Sequence, residues 1–300
     1  MPLTFAHPAA AIPLLRPLGR FGALSALIIG SVAPDLWRFL PFGVTRGESH
    51  SLFALLWFCL PVGLAVYLLF HSTLKGPLLA LMPRFVFVRL GGYVLGFQSL
   101  PRYPWMAVVV SLFLGSFTHI VWDAFTHSDT PAASAFPALH ANVFSIGDYP
   151  VYVFKLLQHG SAAVGLLLMG WWAWRWLRTS SPQAATLPVM LEPSQRLAIL
   201  AAILVAALAT ALWYGTQALA MPSSALPIQT FVRHGVFYGL RALVAGVMIY
   251  CAGWHLVRIG KWVRARHQRS STSGLTRVSR PGAAGDIGPK RTVVQTGRSS

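Results

Sequence analysis

The stretch Gly115-Ser-Phe-Thr-His-Ile-Val-Trp-Asp-Ala-Phe-Thr-His127 closes an apolar run that begins at Pro104. It spaces His119, Asp123 and His127 four residues apart, and on a helix this spacing places the three side chains in one stripe. Ionisable groups within an apolar helix are costly and usually face the interior of a bundle. The stretch therefore predicts a polar site inside a multi-pass membrane protein.

The composition of the whole chain also indicates a membrane protein. Of its 300 residues, 55% are hydrophobic and only 10% are charged, and the mean hydropathy is +0.59. Soluble domains carry about 25% charged residues. Several apolar runs approach the roughly 20 residues that cross a bilayer as a helix. We therefore predict an all-α, polytopic helical bundle that has the lipid bilayer as its partner.

The net charge of +17 does not indicate nucleic-acid binding. The 24 basic residues lie between the apolar runs and in the C-terminal tail, as the positive-inside rule expects of cytoplasmic loops. No basic patch interleaved with aromatic residues and no zinc-finger spacing accompanies them. Cys59 and Cys251 lie far apart in apolar runs and form no CxxC motif, so we interpret them as buried apolar residues.

The apolar runs predict about six membrane segments. These lie near residues 21–42, 52–70, 104–125, 151–177, 197–220 and 235–259. The first contains Pro34-Asp35, so it either spans the membrane or re-enters it while packed against other helices. The apolar residues 78–100 contain Pro83 and two arginines, which favours an interfacial position. The long connection 127–150 is expected to be functional or disordered.

We divide the chain into a membrane domain with the polar site (1–180), two further transmembrane helices (181–260) and a basic tail (261–300). The tail is too poor in hydrophobic residues to form a core, so we expect it to be disordered. Six crossings would place both termini on the same side as the basic loops 72–103 and 175–196. The positive-inside rule makes that side cytoplasmic.

Acidic residues and histidines gather in the first half of the chain. Neutral imidazoles with carboxylates suit zinc, manganese or iron better than calcium. His119 and Asp123 lie about 6 Å apart along a helix, which suits one ion, whereas His119 and His127 lie about 12 Å apart. We predict His119 and Asp123 as metal ligands and His127 as a group that moves protons. The candidates for the remaining ligand positions are Asp35, His50 and His7.

A structural alternative stays open. His119 and Asp123 could hydrogen-bond each other to fix helix packing, with Asp35 and His50 as polar residues at helix ends. The sequence contains no GxSxG elbow, Walker A loop, HExxH motif or Rossmann fingerprint. Serine-hydrolase, nucleotide-driven and nicotinamide chemistries therefore have no local support.

Several segments occur in an order that resembles a known family. They are Met1-Pro-Leu-Thr-Phe-Ala-His7-Pro-Ala-Ala10, Gly30-Ser-Val-Ala-Pro34-Asp35, Ser49-His50-Ser51-Leu52, the opening stretch, and Leu156-Leu-Gln-His-Gly-Ser161. Together they resemble bacterial membrane proteins of the domain of unknown function 4184 family, over roughly residues 1–180. The resemblance implies a bacterial inner-membrane location and no particular activity.

A weaker resemblance is to the inner-membrane metal-dependent hydrolase family. That family shares an early histidine, a Pro-Asp pair, a histidine that opens a helix and a later His-x-x-x-Asp. The resemblance implies a hydrolase whose metal residues are His7, Asp35, His50, His119 and Asp123. If residues 21–42 span the membrane, His7 lies on the opposite side from His50. In that case either the segment re-enters or His7 is not a ligand.

Two functions of different classes follow from the sequence. The first is a hydrolase that uses zinc or manganese to cleave an ester or phosphoester in a lipid or another membrane-associated small molecule. The second is a non-enzymatic transporter or assembly factor, whose polar residues line a path or hold helices together.

Overall fold

The protein is a bundle of long apolar helices, described here from a computed structural model. The description covers residues 4–95, 104–146, 149–182, 191–220 and 227–275. The end of the apolar run 78–100 and the last 25 residues of the expected tail therefore lie outside the described residues. The chain divides into a first unit, Met1–Ala252, and a second unit, Gly253–Ser300.

Twelve α-helices follow one another along the described residues. They are α1 (Pro8–Ala11), α2 (Leu15–Leu18), α3 (Leu24–Val32), α4 (Arg46–Ser49), α5 (Leu60–Leu69), α6 (Lys75–Ala80), α7 (Arg84–Leu95), α8 (Trp105–Thr126), α9 (Pro131–Ala135), α10 (Val153–Thr179), α11 (Pro193–Leu219) and α12 (Pro227–Leu275). Five 3₁₀ segments join them: Thr4–Ala6, Ile12–Leu14, Gly19–Phe21, Ala33–Phe39 and Pro137–His140. Two π-helical turns, Leu55–Cys59 and Phe70–Leu74, flank α5. Strands β1 (Asn142–Ile146) and β2 (Tyr149–Tyr152) form an antiparallel hairpin.

Five helices in the described part of the chain are long and apolar enough to cross a membrane. They are Leu55–Ala80, Trp105–Thr126, Val153–Thr179, Pro193–Leu219 and Pro227–Arg266. The prediction of an all-α, polytopic bundle is thereby confirmed. The most apolar window of α8 is 44% buried, against 6% for that of α11. Helix α8 is therefore the central helix, and α11 presents most of its surface to the surroundings.

The segment 21–42 is not among these five helices. Its helix α3 has nine residues and a length of about 14 Å, less than half of the roughly 30 Å hydrocarbon core. It gives way to the 3₁₀ segment Ala33–Phe39, which has Pro34 in its first turn. Proline removes a backbone donor and ends a regular helix. Of the two alternatives for this segment, the structure favours the one in which it packs against other helices.

Three further expectations concern the run 78–100, the connection 127–150 and the C-terminal tail. The apolar run from residue 78 begins in the last turn of the first candidate span, which ends at Ala80, and its described part continues as the short helix α7. The long connection 127–150 contains α9 and most of a hairpin, so its described part is ordered. Helix α12 runs to Leu275, past Lys261, where we expected the tail to begin. The disorder of residues 276–300 stays a prediction.

Helices α3 and α8 cross with their backbones in contact. A Cβ atom on Gly30 would lie against the backbone of Leu112, and one on Gly115 would lie 2.8 Å from the amide nitrogen of Ser31. Ser116 Oγ also donates to the Gly30 carbonyl at 3.0 Å. Small residues permit this approach between membrane helices. The crossing fixes the chain leading to Asp35 against the half of α8 that carries His119.

Gly115→Ala should lower the melting temperature of the purified protein, because the added methyl group must push α3 away from α8. Overpacking of this kind costs about 1–3 kcal/mol. Gly170→Ala on α10 is the matched control, since a Cβ there meets no atom within 4 Å and alanine favours a helix. Equal melting temperatures for Gly115→Ala and the wild type, in a detergent thermal scan, would contradict the close crossing.

Five crossings would place the N-terminal segment on the same side as the connection between α8 and α10. Phe5 and Phe136 are 60% and 55% exposed, so cysteines at these positions should react with an impermeant maleimide from the same side. Phe85, which is 56% exposed on α7, should give a cysteine that reacts from the other side. Each cysteine is introduced into a Cys59→Ala/Cys251→Ala variant, so that the introduced thiol alone can react. Alanine suits both positions because both native thiols are buried. Labelling of Phe5→Cys together with Phe85→Cys would instead indicate six crossings.

Candidate metal centre

His119 is the centre of the polar cluster and is completely buried. Its Nδ1 lies 2.7 Å from the carbonyl oxygen of Ser31 on α3. A carbonyl only accepts, so Nδ1 carries a proton, and in the neutral form of the ring Nε2 carries the lone pair. Nε2 lies 3.7 Å from Asp123 Oδ2 and 4.0 Å from Asp35 Oδ2. It has no hydrogen-bond partner among the described residues.

His50 presents its ring to the same carboxylates in the same way. Its Nδ1 lies 2.9 Å from Ser49 Oγ and 3.1 Å from the Arg46 carbonyl oxygen. In the tautomer that donates to this carbonyl, Nε2 carries the lone pair. Nε2 lies 3.3 Å from Asp123 Oδ2 and 3.6 Å from Asp35 Oδ1. It too lacks a hydrogen-bond partner within the described ranges.

The local sequence around α4 explains the position of His50. Thr45 caps α4, and the Glu48 carboxylate accepts a hydrogen bond from the Thr45 backbone amide at 2.7 Å. This capping box defines the single helical turn whose last carbonyls are free to accept. His50 follows as the C-cap residue. Glu48 therefore has a structural role and takes no part in the cluster.

The two carboxylates come from different elements. Asp123 lies one turn after His119 on α8, and Asp35 lies in the 3₁₀ segment after α3. Asp35 Oδ2 accepts a hydrogen bond of 2.5 Å from the hydroxyl of Thr4. Burial works to raise the pKa of Asp35, but His119 and the Thr4 hydrogen bond hold this pKa below its usual value. Asp35 is therefore ionised at neutral pH.

His7 closes the cluster from the N-terminal segment. Its ring stacks on the His119 ring with the centroids 3.8 Å apart, and its Nε2 lies 3.6 Å from Asp123 Oδ1. Burial lowers the pKa of His7 to about 3, with His119 acting in the same direction and Asp123 against it. His7 is thus a neutral imidazole at physiological pH, the form that binds metals.

The spacing of these atoms suits ligands of one ion. Nε2 of His50 and Nε2 of His119 lie 3.3–4.0 Å from the oxygens of the two carboxylates. Neighbouring ligands of a tetrahedral ion with bonds of about 2.1 Å are about 3.4 Å apart. Charge-assisted hydrogen bonds would be shorter, about 2.7–2.9 Å. The distances are therefore compatible with a shared cation.

The ligand atoms fall into two groups that meet at His119. One group is His7, His119 and Asp123, the other is Asp35, His50 and His119, and each group lies within 4.8 Å. Nδ1 of His119 is bonded to Ser31, so only its Nε2 can serve both groups. Because a single nitrogen binds one ion, only one of the two groups can use His119 at a time.

Two arginines offer a competing account of the charges. Arg46 Nη2 lies 3.1 Å from Asp123 Oδ2, and Arg38 Nε lies 3.6 Å from Asp35 Oδ1. Two carboxylates and two guanidinium groups balance without a metal. Carboxylates that bind metals also commonly have such outer partners, so the arginines fit both accounts. The two accounts differ at Nε2 of His50 and Nε2 of His119, which have no hydrogen-bond partner in the described part of the chain.

His127 lies at the end of α8 and differs from the other histidines. Its Nε2 is 2.7 Å from Gln158 Nε2, and its Nδ1 is 3.2 Å from the Asp123 carbonyl oxygen. Burial lowers the pKa of His127 to about 4, against the influence of Asp123. Both ring nitrogens are thus engaged by protein groups. His127 Nδ1 also lies 3.6 Å from Asp123 Oδ2, so His127 borders the cluster but belongs to neither group of possible metal ligands. Its role in proton transfer stays a prediction.

The segment Leu156–Ser161 docks α10 against the end of α8. Gln158 contacts His127 as described above, and Trp122 Nε1 donates to Ser161 Oγ at 3.0 Å. Between the two helices lies a cavity of about 210 Å³. His7, Asp123 and His127 line one side of it, and Lys155, Gln158 and His159 lie on the α10 side. The cavity gives water and a small group access to the cluster.

The structure brings all five sequence-predicted ligands together, although they come from four separate segments. Sequence analysis missed Ser31, Arg46 and Thr4. Arg46 precedes His50 by four residues, a helical spacing that could have been noticed. Ser31 acts through its backbone carbonyl, which leaves no signal in the side-chain pattern. Asp129, expected in a loop, is exposed and pairs with Arg46 at 3.1 Å.

Comparison with known proteins yields one match. The sequence profile of the family described as domain of unknown function (DUF4184) matches residues 1–252, well beyond the first 180 residues that carried the resemblance. No curated protein and no solved structure matches the chain.

Proposed function

We propose that this chain, which belongs to the domain of unknown function 4184 family, is a metal-dependent hydrolase of the membrane. In this proposal one divalent transition-metal ion binds in the His/Asp cluster. The bond that is cleaved is an ester or phosphoester of a membrane-associated molecule.

One observation supports the metal most strongly. Nδ1 of His119 donates to the Ser31 carbonyl, and Nδ1 of His50 lies within hydrogen-bond distance of the Arg46 carbonyl. Each ring turns to the same two carboxylates an Nε2 that has no hydrogen-bond partner among the described residues. An imidazole whose other ring nitrogen is held by a backbone carbonyl is the usual state of a metal-binding histidine. Without a metal ion, an Nε2 that faces anionic oxygens would need a proton, and burial opposes the resulting imidazolium charge.

We assign Asp35, His50, His119 and Asp123 as the primary ligands and His7 as the ligand that completes the shell. Nitrogen and oxygen donors without sulfur suit zinc or manganese, and also iron. A bound ion would lower the pKa of its water to about 7 and so supply a nucleophile. The protein itself holds the carboxylates with Arg38 and Arg46, and Thr4 orients Asp35.

The cationic groups near the cluster favour an anionic substrate. Arg46 lies beside Asp123, and Lys155 lines the adjacent cavity. Positive groups positioned before the reaction stabilise the charge that develops on a phosphoryl group. A phosphoester is therefore the favoured substrate class, and His127, in the wall of the same cavity, remains the candidate for proton transfer.

We further propose that the protein lies in a bacterial inner membrane with its C-terminus in the cytoplasm. Arg84 and Arg89 follow the first candidate span, and Arg175 and Arg178 lie in the last turns of the third. The positive-inside rule makes their side cytoplasmic. Five crossings then place the cluster toward the opposite face. His7 and His50 share that face, so the objection that sequence analysis raised against His7 does not apply.

The non-enzymatic alternative rests on the arginine pairs. If Arg38 and Arg46 neutralise Asp35 and Asp123 permanently, the cluster is a buried network that fixes helix packing. Removal of one partner from such a network leaves a buried charge and typically costs 3–5 kcal/mol. Arg46→Gln is therefore a variant on which the two accounts differ.

Metal analysis of the detergent-purified chain should find about one equivalent of zinc or manganese per protein. His119→Gln and Asp123→Asn should each bind the metal at least about 10-fold more weakly, because each removes a ligand. His140→Gln is the matched control, since His140 is exposed and lies outside the cluster. Arg46→Gln should retain the metal and remain folded in a thermal scan.

Three results of the same experiment would count against the proposal. They are wild-type protein free of stoichiometric transition metal, metal retained by His119→Gln, and unfolding of Arg46→Gln with no metal in any variant. Hydrolysis of bis-p-nitrophenyl phosphate by the metal-loaded chain tests the enzymatic part. Stoichiometric metal without metal-dependent turnover of this or a lipid phosphoester would reduce the proposal to a metal-binding membrane protein.

A further inference from the structure

We propose that a second cavity, next to the metal centre, is a binding site for an anionic phospholipid. The cavity has a volume of about 810 Å³, within the usual range of about 300–1,000 Å³ for ligand sites. It lies in the first unit, between the N-terminal turns of α10 and α12 and the 3₁₀ segment Ala33–Phe39.

Most of the cavity wall is apolar and suits an acyl chain. The apolar side chains are Trp37, Phe39, Val151, Ile228, Val232, Val236, Phe237 and Leu240. Several of them recur along one face of α12 at a spacing of four, from Ile228 through Val232 and Val236 to Leu240. Because α10 and α12 are both candidate spans, this wall lies near one end of the membrane-crossing segments. A soluble metabolite would leave most of the wall unfilled.

The polar part of the lining is basic. It consists mainly of Arg38, Lys155, His159, Arg233 and His234, and the described lining contains no carboxylate. Arg38 pairs with Asp35, whereas Lys155 and Arg233 take part in none of the ion pairs found within the described ranges. Basic residues at a membrane surface attract anionic lipid headgroups. Charge therefore selects an acidic lipid over a neutral one.

The second cavity adjoins the candidate metal centre. Lys155 and His159 line both this cavity and the smaller one that reaches His7 and Asp123. A phosphate held by Lys155 and Arg233 would lie beside the wall that the two cavities share. Lipid binding here needs no metal and no hydrolysis. Only the inference that the bound lipid is also the substrate rests on the proposed function.

The test measures binding of fluorescent phosphatidylglycerol to the full chain in neutral detergent micelles. We expect Lys155→Gln/Arg233→Gln to weaken binding by about 10- to 30-fold, from the loss of two headgroup contacts. Arg175→Gln/Arg178→Gln removes the same charge from the other end of α10 and should bind like the wild type. Val236→Trp, which fills the apolar part, should also weaken binding while the protein stays folded in a thermal scan.

Probes of different chemistry separate the lipid from other occupants. Phosphatidylcholine should bind at least about 10-fold more weakly than phosphatidylglycerol, and glycerol 3-phosphate should not compete at the same concentration. The proposal would be overturned if the two lipids bound equally well. It would also be overturned if Arg175→Gln/Arg178→Gln weakened lipid binding as much as Lys155→Gln/Arg233→Gln does. Glycerol 3-phosphate binding as tightly as the lipid would overturn it too, because this would indicate a site for soluble phosphate.

Lipid binding to chelator-treated protein tests this proposal separately from the proposed hydrolase activity. Phosphatidylglycerol should bind equally well before and after treatment, because its proposed contacts are Lys155, Arg233 and apolar side chains. Loss of binding on chelation would contradict the assignment of these contacts. If the untreated protein binds phosphatidylglycerol but contains no metal, the lipid site is supported and the hydrolase is refuted.

Discussion

The backbone contact between α3 and α8 is the constraint on which the site depends. Because Gly30 and Gly115 carry no side chain, the helices approach until the Ser31 carbonyl meets Nδ1 of His119 at 2.7 Å. That bond fixes the tautomer and directs Nε2 away from α3. Any wider crossing would leave His119 buried without an acceptor and would withdraw Asp35 from it. Helix packing and ligand chemistry are therefore set by the same few atoms.

Short, irregular elements rather than spans bring three of the proposed ligands to His119. Asp35 follows the break at Pro34, His50 caps a single turn, and His7 stacks on the His119 ring from a segment of 3₁₀ and α turns. Short elements at the end of a bundle can place polar groups there without crossing the membrane. The adjacent cavities then connect this cluster with a basic and apolar surface on α10 and α12.

The sequence predicted the stripe on α8 because four-residue spacing maps directly onto one helix face. It also predicted that His127 lies too far from His119 to share an ion. The membership of His7 was in doubt because an apolar run of ordinary length was counted as a crossing, and only tertiary structure shows α3 ending at Val32. Ser31 was beyond prediction, since its carbonyl is common to all residues. Lys155 was missed because its role depends on which helices become neighbours.

X-ray absorption at the metal edge of the purified full-length protein tests the central claim most directly. The account predicts a first shell of nitrogen and oxygen alone at about 2.0–2.2 Å, with outer-shell scattering from two or three imidazoles that decreases in His119→Gln. A shell containing sulfur would contradict it, as would a spectrum of hydrated metal that is the same in the wild type and His119→Gln.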